Sequence, residues 1–160
     1  MRLAATLFLR AVVVLIGIGA LALLLWEPQI EGRNAHATLF EIYFNDPFLA
    51  YAYIASIPFF VGLYHAFKVL TFAGRHEETS PGAVKSVRTI KRCAIAVVAF
   101  VAGAEVFIML GESDDRAGGV FMGVLIAFAS TVVAVATTVL ERALRNAGAK
   151  VISANAPVSN

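Results

Sequence analysis

Cysteine, histidine and charged side chains are all scarce in this sequence. The single cysteine, Cys93, excludes an internal disulfide, and the three histidines stand apart at positions 36, 65 and 76. Charged residues make up only 15% of the chain. We find no nucleophile–base pair, glycine-rich phosphate loop, metal-ligand cluster or nucleic-acid-binding motif. We therefore expect no enzymatic activity, no cofactor, no metal and no direct contact with nucleic acid.

Apolar residues dominate instead, at 59% of 160 residues and a mean hydropathy of +0.79. Soluble domains average about 45–50% apolar residues. The excess falls into four blocks, each close to the ~20 residues that a helix needs to cross a bilayer. The sequence therefore predicts an all-α integral membrane protein, a four-transmembrane-helix bundle that forms one domain over residues 1–150, with a disordered tail at 151–160. The predicted spans are residues 7–26, 48–70, 93–110 and 119–140.

The loops between the predicted spans differ in charge. Loop 27–47 holds four acidic residues against one arginine, and loop 111–118 holds three against one. The middle loop and the tail are basic. Since cytoplasmic loops of membrane proteins carry an excess of lysine and arginine, both termini and the middle loop are predicted to be cytoplasmic. We expect a multi-pass protein of the bacterial plasma membrane, N-in and C-in.

Residues 80–94, "SPGAVKSVRTIKRCA", predict a short basic amphipathic helix before the third span. Ser80 suits an N-cap and Pro81 suits the first helical position. Two interpretations stay open: an interfacial helix held by anionic lipids, at about 1 kcal/mol per basic residue, or a docking site for a cytoplasmic protein. The apolar side holds Ala83, Val87, Ile90 and Ala94, and the basic side holds Lys85, Arg88 and Arg92.

Small residues recur every four positions in the last two spans. Such faces let two helix backbones approach closely in lipid. We expect the two small faces either to pack together within one bundle, or to leave the fourth span free to form a homo-oligomer. The fourth span offers Gly119, Gly123 and Ala127, and the third offers Ala99 and Gly103.

One carboxylate, Glu105, stands inside the third apolar block, "VAGAEVFIML". An acid in the membrane is expected to face the bundle interior and to pair. Its candidate partners are Tyr53, Ser56 and Arg116. The interpretations are a structural hydrogen bond or a proton or ligand site. Arg10, in the first block, is expected to reach the headgroups by its long stem, with a functional role as the alternative.

The chain resembles the YoaS-like bacterial inner-membrane proteins, a family of unknown function. The resemblance implies four spans and a bacterial plasma membrane, but no activity. Genes of such proteins often neighbour a small helix-turn-helix regulator, which implies a transcriptional regulator as a partner. The matching stretches, in the family's order, are "LFLRAVVVLIGIGALAL", "YIASIPFFVGLYHAFKVL", "VKSVRTIKRCAI" and "SDDRAGGVFMGVLIAFASTVVAVATTVL".

Two functions follow as hypotheses. The first is a non-enzymatic regulatory or interaction protein whose cytoplasmic face, residues 75–92 with the tail, holds a partner. The second is a small transporter or channel in which Glu105, Tyr53 and Ser56 line a polar path. We favour the first, because the cytoplasmic side has an organised element and the spans show no continuous polar lining.

Overall fold

Four long helices make up the computed structural model, which describes residues 2–30, 47–110 and 116–154. They are α1 (Arg2–Ile30), α2 (Pro47–Gly74), α3 (Pro81–Leu110) and α4 (Arg116–Ala154). Each is long and apolar enough to cross a membrane. The prediction of an all-α protein with four membrane spans is confirmed. Most of the two acidic loops and the last six residues of the predicted tail lie outside the described residues.

The helices pack in chain order, with α1 on α2, α2 on α3 and α3 on α4. Small residues mark the antiparallel contacts: Gly17 meets Leu63, and Gly62 meets Cys93. The α2–α3 turn is tight, since His76 adopts a left-handed φ of 59°. Because neighbours run antiparallel, the start of α1, the α2–α3 turn and the end of α4 share one end of the bundle. We call it the basic end, after its cations, which are Arg10, Lys68, Arg75, Lys85, Arg88, Lys91, Arg92, Arg142, Arg145 and Lys150.

Protein atoms bury few side chains, and these lie near the basic end. Many large apolar side chains along all four helices are exposed, including Leu15, Phe121 and Phe128 at 66–68%. A soluble monomer rarely exposes apolar surface on this scale, whereas lipid solvates it without cost. The packed core is therefore small and sits at one end of the bundle. Within the described ranges, the buried residues are Ala83, Ser86, Val87, Ala94 and Glu141.

The predicted basic amphipathic helix is the first part of α3 and continues directly into the third span. Its start is confirmed: α3 begins at Pro81, and Ser80 Oγ accepts a hydrogen bond from the Ala83 N–H at 3.2 Å. The helix then runs unbroken to Leu110. Ala83 and Val87, on the predicted apolar side, are 1% and 0% exposed. Protein therefore covers this part of the apolar side, while Lys85 and Arg92 on the basic side are exposed.

Helices α3 and α4 are longer than a bilayer requires. With 30 and 39 residues, they extend about 45 and 58 Å, against a hydrocarbon core of about 30 Å. Gly148 of α4 still faces Thr79, just before α3 begins. The two helices therefore continue side by side past the basic-end boundary. Since α4 ends at Ala154, the predicted end of the helical domain at residue 150 is four residues short.

Candidate functional sites in the membrane and at the basic end

One carboxylate joins three cations where α3 and α4 leave the apolar blocks. Glu141 Oε1 accepts from Arg88 Nε at 2.9 Å and from Arg145 Nη2 at 2.8 Å, and Oε2 accepts from Lys91 Nζ at 2.7 Å. The Glu141 side chain is 8% exposed, whereas the three cations are 27–54% exposed. Both oxygens are thus used inside the protein. We call these four residues the Glu141 cluster, and it fixes the register of α3 on α4.

This cluster was not predicted from the sequence, in which Glu141 stands as a single acid in a basic tail. A signal was present. Glu141 and Arg145 have the i,i+4 spacing that places opposite charges together on one helix. Glu141 also follows the apolar block of the fourth span directly, and Lys91 lies two residues before that of the third. Antiparallel neighbours would bring those positions to the same level.

The cations predicted to contact lipid or a partner differ in their pairing within the protein. Arg88 is held in the Glu141 cluster. Its Nε is therefore used within the protein, while its side chain remains 38% exposed. Lys85 and Arg92 are exposed. On α4, Arg142 and Lys150 are exposed at the same end.

Glu105 lies against Gly123 of α4 rather than against Tyr53 or Ser56, two of its three predicted partners. Its Oε1 is buried and makes no hydrogen bond with any described residue. The carboxylate fills the space beside Gly123, where a Cβ would overlap it. Gly123 thus has a specific reason to be glycine: the side chain it lacks would occupy the place of the Glu105 carboxylate.

Tyr53 and Ser56 do not line a path with Glu105. The Tyr53 hydroxyl donates to the Leu24 carbonyl of α1 at 3.0 Å. Ser56 Oγ donates to the Tyr53 carbonyl at 2.7 Å, within α2. Both hydroxyls are therefore engaged with backbone near α1, whereas Glu105 faces α4. The predicted grouping of these three residues as one polar site is wrong.

The predicted small faces meet only in part. Gly119 and Gly123 of α4 do face α3, where they contact Ile108 and Glu105. Gly103 of α3 instead packs on Tyr51 of α2, whose hydroxyl donates to the Phe100 carbonyl at 2.7 Å. The other small residues do not form a joint face, since Ala99 is exposed and Ala127 is half-buried. Of the predicted small residues, Gly119 and Gly123 are thus the ones that meet the facing helix.

Arg10 docks on α2 near the C-terminal end of that helix. Its Nη2 donates to the Leu70 carbonyl at 3.2 Å, and its Cζ lies 5.7 Å from the Phe67 ring centroid. Gly74 leaves room for the guanidinium, since a Cβ there would lie 3.0 Å from Nη2. A cation at the C-terminal end of a helix interacts favourably with its free carbonyls. Arg10 therefore ties α1 to the last turns of α2.

Comparison with known proteins gives two matches. A family model described as a protein of unknown function, DUF2975, matches residues 33–150. A Bacillus subtilis protein, described as the uncharacterized membrane protein YoaS, is 35% identical over 144 residues, which cover 89% of this chain and 90% of that protein. No solved structure matches. These matches confirm the family resemblance predicted from the sequence.

Proposed function

The chain belongs to the DUF2975 family of membrane proteins of unknown function, and we propose that it is a non-enzymatic membrane protein whose basic end holds a cytoplasmic partner. The partner would carry an acidic surface, and a small helix-turn-helix regulator is one protein of that kind. The observation that carries the proposal is the extension of α3 and α4 past the membrane boundary as a locked, cation-rich pair.

The length of α3 beyond the membrane boundary supports contact with a soluble protein. From Pro81 to Cys93, where the apolar block of α3 begins, the helix rises about 18 Å. Headgroups add only about 5–8 Å to each side of the hydrocarbon core. The tip of α3 therefore stands in water beyond the lipids, where a soluble protein can reach Lys85.

The rigid packing of α3 against α4 at the basic end supports a specific binding surface. Ser86 and Val87 are 2% and 0% exposed, and the Glu141 cluster fixes α3 against α4. Cations held on rigid helices lose less conformational entropy on binding than cations on a loop. Lys85 and Arg92 are seven residues apart on α3, so they point the same way. Complementary charge of this kind would speed association and select an acidic partner.

The proposal requires the basic end to face the cytoplasm, which gives a first prediction. In a Cys93→Ala background, a cysteine placed at Lys150 should react in intact cells only with membrane-permeant thiol reagents. A cysteine at Arg116 should react with impermeant reagents as well. Labelling of both positions is compared before and after lysis. Reaction of the residue-150 cysteine with an impermeant reagent in intact cells would reverse the orientation.

The second prediction concerns partner recovery. Charge reversal at Lys85 or Arg92 should lower the amount of co-purified cytoplasmic partner at low salt by about fivefold each, if each cation contributes about 1 kcal/mol. Both residues are exposed, so the helices should stay intact. The measurement is quantitative mass spectrometry after mild-detergent purification of the tagged protein from its native cells.

Arg116→Glu is the matched control, because it reverses one charge at the opposite end of the bundle. It should leave partner recovery at the level of the unmodified protein. Arg88→Glu is unsuitable, since it would break the Glu141 cluster. Equal recovery of the same proteins with Lys85→Glu, Arg92→Glu and Arg116→Glu would refute docking on this surface.

The geometry gives the transport alternative less support. Glu105 is separated from Tyr53 and Ser56, which were to line the path with it. Two grooves between the helices, of about 420 and 360 Å³, are lined almost wholly by apolar side chains from α2, α3 and α4, with Ala20 and Leu24 of α1 in the smaller one. An ion crossing the bilayer needs a polar or wet route.

A further inference from the structure

An apolar groove of about 440 Å³ runs along the outside of α3 and α4. Ile95 and Val98 form one wall, and the other wall follows α4 from Thr131 to Val139. Its threonines add no free polar group, because the hydroxyls of Thr131 and Thr138 donate to backbone carbonyls at 2.8 and 2.7 Å. The groove therefore presents methyl and methylene groups along its length.

The groove ends at a cation. Arg142 lines its basic end and is exposed. The Glu141 cluster lies beside it, where Lys91 is one helical turn before Ile95 and Arg145 is three residues after Arg142. Three cations of the cluster share a single carboxylate, and no other carboxylate among the described residues forms an ion pair with them. The mouth of the groove thus keeps an excess of positive charge.

The length of the groove fits one leaflet of a bilayer. The eleven helical steps from Thr131 to Arg142 rise about 16 Å. Half of a hydrocarbon core of about 30 Å is about 15 Å. Arg142 lies just past the apolar block of α4, at the level of the lipid phosphates. The innermost residue, Thr131, then lies near the bilayer midplane.

We propose that this groove is a binding site for one anionic phospholipid of the basic-end leaflet. An acyl chain lies between Ile95, Val98 and the facing residues of α4. The phosphate accepts hydrogen bonds from Arg142 and from donors of Lys91 and Arg145 that Glu141 leaves free. The positive charge at the mouth of the groove selects an anionic lipid over a zwitterionic one. The length of acyl chain that the groove covers selects a lipid over a free phosphate ion, which has no chain.

The test is native mass spectrometry of the delipidated full-length protein, titrated with phosphatidylglycerol or with phosphatidylcholine of the same chains. We expect phosphatidylglycerol to bind with the lower Kd. Arg142→Gln should raise its Kd about fivefold, the equivalent of about 1 kcal/mol for one basic residue at the surface, and leave phosphatidylcholine unchanged. Val135→Trp should fill the groove and weaken both lipids. Glycerol phosphate, which has the headgroup without chains, should not compete.

Each variant has a matched control. Val124 is as exposed as Val135, at 60%, and stands on the same helix outside the groove, so Val124→Trp should bind lipid normally. Lys150→Gln removes an exposed cation farther along α4 and should have no effect. The proposal is overturned if Arg142→Gln matches Lys150→Gln, if Val135→Trp matches Val124→Trp, or if glycerol phosphate displaces the lipid.

Discussion

Replacing Glu141 with glutamine is expected to lower the apparent Tm by several degrees, more than the loss of any one of its three cations. The substitution keeps the shape of the side chain and removes its charge. Arg88, Lys91 and Arg145 would then surround a neutral amide and repel one another, while the contact that joins α3 to α4 is lost. Thermal unfolding of the purified protein in detergent, followed by circular dichroism, measures the change.

Glu77→Gln is the control, because Glu77 is exposed in the α2–α3 turn at the same end of the bundle. It changes the net charge equally and should leave Tm nearly constant. Added salt should lower the Tm of the unmodified protein toward that of Glu141→Gln, since salt screens partly exposed ion pairs. Equal Tm values for the two variants would show that the Glu141 cluster does not hold the helices together.

Replacing Gly123 with valine is expected to destabilise the α3–α4 contact by about 2 kcal/mol, the typical cost of overpacking a close contact. A Cβ at this position would overlap the Glu105 carboxylate, and it would lie 3.5 Å from Val101 Cγ1. The Glu105 side chain cannot move aside without leaving its place between the helices. Denaturant unfolding in mixed micelles gives the free-energy difference.

Gly19→Val makes the same chemical change in α1, where a Cβ would find no atom within 4 Å. The difference between the two variants therefore isolates packing from helix propensity. Adding Glu105→Ala should recover most of the stability lost in Gly123→Val, because it removes the side chain that collides. If Gly123→Val and Gly19→Val unfold alike, Glu105 does not occupy the space beside Gly123.

The sequence predicted the parts of the fold that depend on apolar runs and local signals. Four blocks of the right length became four helices, and Ser80 with Pro81 marked the start of α3. The ends of the helices were harder to predict from the sequence. The amphipathic part of α3 and the last turns of α4 are too polar for a membrane span, and they are helical because each covers the other.

Which residues meet in a candidate site depends on how each helix is rotated about its own axis. Composition does not give that rotation. Glu105, Tyr53 and Ser56 were placed together by depth alone. Depth along two helices leaves open which faces meet, and here Tyr53 faces α1 while Glu105 faces α4. A similar limit applied to Arg88, whose partner Glu141 is 53 residues away in the chain. Distant pairing of this kind requires the packed structure.

Chain-order packing also bears on how the protein is made. Each helix finds its main partner in the helix that the ribosome produced just before it, so the first three can associate while translation continues. The Glu141 cluster is different, because Lys91 and Glu141 are 50 residues apart. At a synthesis rate of about 5–20 residues per second, Glu141 is added to the chain roughly 3–10 s after Lys91. During that interval the basic N-terminal part of α3 can contact chaperones and lipids. It is covered when α4, the last helix to be synthesised, packs against it.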